Sequence, residues 1–332
     1  MNRLIDRFGR EHTYLRISVT DRCNLRCRYC MPEEGIKLRG KDEILSFEEI
    51  CRLAEIFAHM GVTKIRITGG EPLVRANIER LLQMLAPLKS VNGGGISTLA
   101  MTTNATLLAD KVEVLRSAGL DVLNISLDTF RAERFKELTR RDELARVLAG
   151  LEAALKARFP VLKLNTVVIR NFNDDEIMDF VEYARDNPVN VRFIEYMPFP
   201  DNEWTSAGVV PFAEMRQKIE SRYALIPLNN PSFDVARDFA IEGFPGRVSF
   251  ITSMSESFCS TCNRIRLTAD GFVKSCLFYD GEINLKDALA AGADRTRLEE
   301  LITQALWMKP EAHPPAEELA GEQNRHMVAI GG

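Results

Sequence analysis

The chain has 332 residues, of which 45% are hydrophobic and 27% charged, and its formal net charge is −4. This composition is that of a globular protein, and the acidic balance excludes a general electrostatic attraction to nucleic acid or to an anionic membrane surface. No apolar run approaches the roughly 20 residues of a membrane helix, and residues 1–10 are too charged for a signal peptide. We therefore expect a cytoplasmic protein that binds neither nucleic acid nor membrane.

The first two thirds of the chain alternate strand-like and helix-like patterns. Ser46 and Glu49 form a capping box for a helix that runs through Ala58, and Asn173 is placed to cap the helix Ile177–Ala184. Strands that alternate with helices predict a parallel sheet, either doubly wound or part of a barrel, and six units are fewer than the eight of a closed barrel. The predicted strands are Tyr14–Val19, Lys64–Thr68, Ile96–Thr103, Val122–Leu127, Leu162–Ile169 and Asn190–Met197.

The character of the sequence changes after Pro198. Proline and glycine punctuate a loop, and a helix is predicted over Phe212–Tyr223. Short antiparallel strands follow at Val235–Ile241 and Arg247–Ile251. We therefore divide the chain into residues 1–200 and 201–332.

One face of several predicted strands is polar, although both faces of a strand in a parallel barrel are normally apolar. Successive side chains of a strand point to opposite faces, so the polar residues of each strand share one side. The apolar residues then face the helices, and the polar residues face the barrel interior. A solvated face of an antiparallel sheet would show the same alternation, but it conflicts with the helical connections. Because unpaired interior charges are costly, the pattern favours a wet interior that binds an anionic ligand such as phosphate. The cations on this face are Arg16, Lys64, Arg66 and Lys163.

A first group of cysteines follows the first strand at Cys23, Cys27 and Cys30. They occupy the first strand–helix loop, where barrels and open sheets keep their sites. A [4Fe–4S] cluster usually takes four thiolates, so a CxxxCxxC loop leaves one iron open to another ligand. A zinc site and incidental cysteines are the alternatives, but structural zinc sites use four ligands and commonly pair CxxC with a second pair.

This motif resembles the signature of the radical S-adenosylmethionine superfamily. Tyr29 matches the aromatic residue before the third cysteine, which lies near the adenine in that family. Gly69–Pro72, after the second strand, is similar to the family's GGEP segment, whose backbone meets the amino group of the methionine moiety. Glycine permits such close approach of the backbone. The resemblance implies that the three cysteines bind a [4Fe–4S] cluster and that the chain uses S-adenosylmethionine.

The second group of cysteines comprises Cys259, Cys262 and Cys276. A zinc site completed by Cys51 or a histidine, and a redox CxxC pair, are the alternatives. A second iron–sulfur cluster is favoured because the first motif predicts iron–sulfur loading. Arg264 and Arg266 share a strand face between these cysteines and add two cations.

Further segments make the chain similar to one family, the GTP 3′,8-cyclases of molybdenum-cofactor (molybdopterin) biosynthesis. A departure is Ala105, where relatives often carry glycine. The matching segments are Arg16–Cys30, Lys64–Pro72, Thr102–Asn104, Asn124–Asp128, Arg192–Met197, Phe258–Arg266 and the final Gly331 and Gly332.

The resemblance to this family implies roles for the matching positions. It implies that the second cysteine group binds a second [4Fe–4S] cluster whose open iron meets the guanine, and that the C-terminal tail reaches into the site. The implied S-adenosylmethionine site comprises Tyr29, Gly70, Ser126 and Met197. The implied GTP site comprises Arg16, Arg66, Thr102, Lys163, Arg192, Arg264, Ile265 and Arg266, with Lys64 as a helper.

The implied fold is α/β, an incomplete (βα)6 TIM-type barrel with a C-terminal α+β extension over its opening. The implied lyase reaction uses a 5′-deoxyadenosyl radical, which takes hydrogen from C3′ of GTP. The C3′ radical then attacks guanine C8, and reduction by one electron with uptake of a proton gives (8S)-3′,8-cyclo-7,8-dihydroguanosine 5′-triphosphate. The implied partners are an electron donor, a second copy in a homodimer, and a downstream cyclic pyranopterin synthase. A peptide-modifying radical enzyme and a non-enzymatic zinc-binding protein are the rival interpretations.

Overall fold

The computed structural model describes residues 3–90, 95–231, 233–321 and 324–331. Its first six strands alternate with helices, as the sequence predicts. The strands are β1 (Tyr14–Ser18), β2 (Lys64–Thr68), β3 (Thr98–Thr103), β4 (Val122–Ser126), β5 (Val161–Val168) and β6 (Asn190–Glu195). The helices are α1 (Phe47–His59), α2 (Ile78–Leu85), α3 (Val112–Ser117), α4 (Ala132–Thr139), α5 (Leu144–Lys156) and α6 (Ile177–Asp186).

Two of the predicted helix caps have different outcomes. The capping box is confirmed, because Ser46 accepts a hydrogen bond from the Glu49 amide while the Glu49 carboxylate accepts one from the Ser46 amide. Such a cap stabilises a helix by about 1 kcal/mol. The cap at Asn173 is wrong, because its side-chain amide donates to the carbonyl oxygens of Asp128 and Val167, at 2.7 and 2.9 Å. Asn173 therefore ties together the loops that follow β4 and β5.

The chain after residue 200 adds both strands and helices. The predicted antiparallel pair in this part is confirmed as β8 and β9. Within the described residues, none of the helices combines the length and the apolar character needed to cross a membrane. The strands are β7 (Ile226–Pro227), β8 (Ala236–Ala240), β9 (Arg247–Ile251), β10 (Arg264–Leu267), β11 (Phe272–Lys274) and β12 (Glu282–Asn284). The helices are α7 (Phe212–Glu220), α8 (Leu285–Ala290), α9 (Arg295–Trp307), α10 (Ala316–Leu319) and α11 (Met327–Ile330).

One sheet contains all of these strands, in the order β12-β11-β10-β1-β2-β3-β4-β5-β6-β9-β8-β7. The pairs from β10 through β6 to β9 are parallel, so β10 and β9 flank the six strands of the first part. The sheet continues antiparallel on both sides and does not close. The structure is thus an incomplete α/β barrel. Its division at residue 200 stays a prediction, and the sheet crosses that division.

The hydrophobic core lies between the sheet and the helices. Leu15, Ile17 and Ile65 are completely buried on this side, and burial of a side chain of this size stabilises the fold by about 1.5–3 kcal/mol. On the other side of the sheet, strand register places Arg16 between Arg66 and Arg266. The two faces of the strands therefore separate an apolar core from a cationic interior, as the alternation predicts.

Candidate active site

A cavity of about 210 Å³ opens at the carboxyl ends of β3 to β6 and is covered by the segment from Ile251 to Phe278. A second depression, of about 550 Å³, is lined by residues of mixed charge, such as Asp21 and Arg39, and by no predicted site residue. The first cavity is therefore the candidate site. The predicted residues that line it are Arg16, Tyr29, Thr102, Ser126, Met197, Cys259, Cys262, Arg264, Arg266 and Cys276.

The first cysteine triplet lies in a loop that α4 holds in place. The amides of Arg26 and Arg28 donate to the carbonyl oxygens of Thr139 and Leu138 at the end of that helix, at 2.9 and 3.0 Å. The Cys30 amide donates to the Cys27 carbonyl oxygen at 2.9 Å, which folds the CxxC part into a tight turn. These bonds keep the three thiols together before any ligand binds.

The surroundings of these thiols disfavour the thiolate. Burial, followed by the nearby Glu71 carboxylate, raises the pKa of Cys23 to about 11. Burial also raises the pKa of Cys27 well above its ordinary value, and the other two thiolates and Asp128 add to the shift. Burial raises the pKa of Cys30 as well. A cation must therefore reach this triplet for the three thiolates to form together.

Among the described residues, the hydrogen-bond donors to the sulfur of Cys23 are uncharged. The Leu25 amide lies 3.4 Å from it, and the Asn104 side-chain amide 3.8 Å. Ala105, next to Asn104, has a φ of 61°, in the left-handed region. A residue with a Cβ costs roughly 1–2 kcal/mol there, which explains why glycine suits the position.

The Gly70 segment brings the end of β2 against the cysteine loop. The Gly70 amide donates to the Thr20 carbonyl oxygen at 2.7 Å, and the Glu71 amide donates to the Arg22 carbonyl oxygen at 2.8 Å. A Cβ at Gly70 would lie 2.4 Å from the Arg22 carbonyl oxygen, so only glycine fits. The close approach expected from the GGEP segment is therefore present in the backbone.

Tyr29 links the cysteine loop to the end of β4. Its hydroxyl donates to Asp128 at 2.7 Å, and Asp128 also accepts from the Val167 amide at 2.7 Å. Burial raises the pKa of Asp128 to about 6 although both bonds favour its charged form. Tyr29 is thus fixed at the wall of the cavity, beside Ser126 and Met197.

The second cysteine triplet faces the same cavity in cationic surroundings. Burial by itself would raise the pKa of Cys262, but Arg264 and Lys309 outweigh burial and lower it to about 6. Burial likewise opposes ionisation of Cys259, yet a hydrogen bond from His313 lowers its pKa to about 7. Two of the three thiols of this triplet, Cys259 and Cys262, therefore favour the thiolate.

A cluster of cations fills the barrel interior next to the cavity. Burial lowers the pKa of Lys163 to about 7, and the neighbouring Arg192, Lys64 and Arg66 add to the shift. These four predicted residues therefore lie close together, although the cavity wall itself carries Arg16, Arg264 and Arg266. The side chain of Ile265 lies in the hydrophobic core, which leaves only its backbone for a ligand.

The C-terminal tail lies between the first cysteine triplet and the cavity. Met327 lines the cavity, and the Val328 amide donates to the Cys30 sulfur. Arg16 donates to the Gly331 carbonyl oxygen at 3.3 Å, and a Cβ at Gly331 would lie 2.5 Å from the Thr68 hydroxyl. Gly331 thus reaches the site as the resemblance implied, while Gly332 lies outside the described residues.

Sequence reasoning missed three residues of this region. Tyr14 accepts a hydrogen bond from Arg66, and its ring centroid lies 4.7 Å from the Lys64 ammonium nitrogen. Burial raises the Tyr14 pKa, but the surrounding cations outweigh burial and lower it to about 6. Tyr14 lies on the same face of β1 as Arg16, so the alternation along this strand could have found it, whereas Lys309 and His313 follow no motif or period.

Both triplets suit iron–sulfur clusters by their donor chemistry. Among the residues that the structure describes, no three His, Cys, Asp or Glu side chains are arranged around a single metal ion. A cluster differs from such a site because each thiolate binds a different iron. Three thiols in one ordered loop and three on one cavity wall match that requirement.

Known families match this chain in two consecutive parts. Residues 17–184 match the Radical SAM superfamily, and residues 189–315 match Molybdenum Cofactor Synthesis C. The mitochondrial GTP 3′,8-cyclase of Arabidopsis thaliana is 49% identical over 330 residues, which cover 99% of this chain and 83% of that protein. The chain belongs to the GTP 3′,8-cyclase family of the radical SAM superfamily.

Other members of this radical SAM family differ in length. The GTP 3′,8-cyclase of Moorella thermoacetica is 45% identical over 332 residues, 98% of this chain and 99% of that protein. The chain spans about half of several longer relatives, among them Molybdenum cofactor biosynthesis protein 1 of Dictyostelium discoideum, which is 45% identical over 99% of this chain and 52% of that protein.

A solved structure has the same fold. SuiB of Streptococcus suis superposes with a TM-score of 0.61 over 89% of this chain and 69% of that chain, at 16% sequence identity. At this identity the likeness concerns the fold alone, and it agrees with the incomplete barrel described above.

Proposed function

We propose that this radical SAM protein is an enzyme that converts GTP to 3′,8-cyclo-7,8-dihydro-GTP, the first step of molybdenum-cofactor biosynthesis. The observation that carries the proposal is one cavity whose wall combines the second cysteine triplet with Arg16, Arg264 and Arg266. A triphosphate needs several cations, and a base near a cluster needs an open iron, so this wall suits both ends of GTP.

Each cysteine triplet has its own role in the proposal. Cys23, Cys27 and Cys30 would hold one [4Fe–4S] cluster, which would serve cleavage of S-adenosylmethionine, and Cys259, Cys262 and Cys276 would hold the other, which would bind the guanine. When bound, the first cluster supplies the electron that cleaves S-adenosylmethionine to the 5′-deoxyadenosyl radical needed at C3′ of GTP. Tyr29, Gly70, Ser126 and Met197 form the S-adenosylmethionine site.

The chain's own residues position the substrate and neutralise its charge. Arg16, Arg264 and Arg266 bind the phosphates from the cavity wall, and Thr102 and the Ile265 backbone add hydrogen bonds. Arg66, Lys163, Arg192 and Lys64 lie behind them and supply further positive charge. A buried site makes these charges stronger than they would be in water. The tail through Gly331 closes the side next to the first triplet and excludes water.

The proposal also extends to partners. The reaction requires an external electron donor, and its product is the substrate of a cyclic pyranopterin synthase. A homodimer and a cytoplasmic location complete the proposal, together with the division into a barrel part, residues 1–200, and a C-terminal part, residues 201–332.

The test is anaerobic reconstitution with iron and sulfide, followed by incubation with S-adenosylmethionine, dithionite and GTP. We expect a product with the mass of GTP but a different retention time, and 5′-deoxyadenosine in equal amount. A precursor peptide replaces GTP in a parallel reaction. Unchanged GTP beside a modified peptide would contradict the proposal in favour of a peptide-modifying enzyme, and a protein that takes up zinc but no iron would contradict both.

A further inference from the structure

The sulfur of Cys262 accepts hydrogen bonds from side chains other than the cysteines of its triplet. The Lys309 ammonium lies 3.5 Å from it and donates to the Arg264 carbonyl oxygen at 2.8 Å. The amide and the guanidinium of Arg264 also donate to this sulfur. Lys309 is 2% exposed, so water contributes little to its solvation and the sulfur is one of its few partners.

An N-terminal clamp holds the segment that carries Lys309. The Arg10 guanidinium donates to the carbonyl oxygens of Pro310 and Glu311, at 2.8 and 2.7 Å, and to that of Cys259 at 2.8 Å. Asp6 balances the charge of Arg10 through a contact of 2.6 Å. The residues that follow Lys309 are thereby fixed to the loop of the second triplet, so the position of its ammonium is set by the fold.

Among the described contacts, no cation donates a hydrogen bond to a sulfur of the first triplet, although the Arg26 guanidinium lies near enough to favour the Cys23 thiolate. The donors to its sulfurs are neutral amides of Leu25, Asn104 and Val328. Hydrogen bonds to sulfur and local net charge are what set the reduction potential of an iron–sulfur cluster, because they stabilise the added electron.

We propose that Lys309, together with Arg264, raises the reduction potential of the cluster bound by Cys259, Cys262 and Cys276. The inference rests on the proposed function only in taking an iron–sulfur cluster to be bound there. It concerns the state of that cluster before GTP binds, and no residue of the first triplet takes part in it.

The experiment isolates the second cluster in the full chain. The parent protein for this experiment carries Cys23→Ala, Cys27→Ala and Cys30→Ala, so that only the second triplet binds a cluster on reconstitution. Its reduction potential is measured by a redox titration without GTP or S-adenosylmethionine, with electron paramagnetic resonance as the readout. Lys309→Met is compared with Lys309→Arg and with Lys156→Met, whose lysine is exposed on α5. In Lys309→Met we expect the ratio of reduced to oxidised cluster at a fixed potential to be about tenfold lower. For a one-electron couple this corresponds to a midpoint potential that is about 59 mV lower.

We expect Lys309→Arg to restore most of the shift and Lys156→Met to show none. An iron-loaded Lys309→Met protein with the parent potential overturns the inference. If Lys309→Met does not retain iron, the titration uses Lys309→Gln, which keeps an N–H donor but not the charge. A Lys309→Gln protein with the same reduction potential as the parent also overturns the inference. A parent protein that binds no iron at this triplet contradicts the proposed function, whereas a loaded parent that is indifferent to Lys309 contradicts this inference alone.

Discussion

The two cysteine triplets place the same side chain in opposite electrostatic surroundings. Around the first, burial and the carboxylates of Glu71 and Asp128 raise the thiol pKa values. Around the second, Arg264, Lys309 and His313 overcome burial and lower the pKa values of Cys259 and Cys262. The first triplet therefore needs iron to become ionised, whereas Cys259 and Cys262 ionise more readily than ordinary thiols. This difference teaches that two cysteine triplets on either side of the C-terminal tail can have the same composition and remain electrically distinct.

Removing one cysteine from each triplet has the largest expected effect, and it separates their roles. Cys27→Ala is expected to abolish cleavage of S-adenosylmethionine, because two thiolates hold the first cluster poorly. Cys262→Ala is expected to leave that cleavage intact and to abolish conversion of GTP. Both are measured by chromatography of 5′-deoxyadenosine and the nucleotide product, with Cys51→Ala on α1 as the control. Cleavage that persists in Cys27→Ala would show that the first triplet is misassigned.

Alkylation of the metal-free protein tests the pKa difference directly. At about pH 7 the thiol of Cys262, with its pKa near 6, is mostly thiolate, whereas Cys23, with its pKa near 11, is almost wholly protonated. Since a more acidic thiolate is also a weaker nucleophile, we expect Cys262 to react with iodoacetamide about a hundredfold faster. Peptide mass spectrometry over time gives both rates. Equal rates at neutral pH would remove the electrostatic contrast between the triplets.

Removing a cavity cation is expected to weaken GTP binding and not S-adenosylmethionine binding. Arg266→Met removes one charge-assisted contact, worth about 1.5–3 kcal/mol, so the Kd for GTP should rise about 10- to 100-fold. Equilibrium binding to the reconstituted protein measures both ligands. Arg52→Met on α1, where the side chain contacts the Ala293 carbonyl oxygen, is the matched control. Equal losses for the two ligands would show that the cations serve both halves of the cavity.

The pH dependence of GTP binding has the smallest expected effect. The pKa of Lys163 is lowered to about 7 in the free protein, first by burial and then by Arg192. A bound triphosphate favours the charged amine and raises this pKa, so binding takes up a proton and weakens as pH rises above 7. Between about pH 7.5 and about pH 8.5, where the phosphate is already ionised, we expect the affinity to fall about five- to tenfold. Calorimetry measures it, and Lys163→Arg should flatten the profile; a flat parent profile would place Lys163 away from the phosphates.

Local signals in the sequence predicted what lies close together along the chain. The CxxxCxxC loop, the capping box of Ser46 and the alternation of Lys64 with Ile65 each depend on neighbours within a few residues. The cap at Asn173 failed because its amide found carbonyl partners in another loop, at Asp128. A single residue type in a favourable place does not reveal such competition.

Long-range geometry could not be predicted in the same way. Lys309 reaches Cys262 because Arg10, near the other end of the chain, ties down the backbone beside it. The pairing of Tyr14 with Arg264 likewise joins residues far apart in sequence. No period or spacing encodes these contacts, so the surroundings of the second triplet became visible only in the structure.

The flanking positions of β9 and β10 have a consequence for synthesis on the ribosome. When residue 200 emerges, the six earlier strands are complete, yet β1 and β6 each present an edge whose parallel partner has not been made. Unpaired edges pair readily with other chains. β1 remains open longer than β6, because β10 follows β9 along the chain. The nascent barrel therefore passes through a stage at which shielding by a chaperone, or rapid translation of the last third, protects it from aggregation.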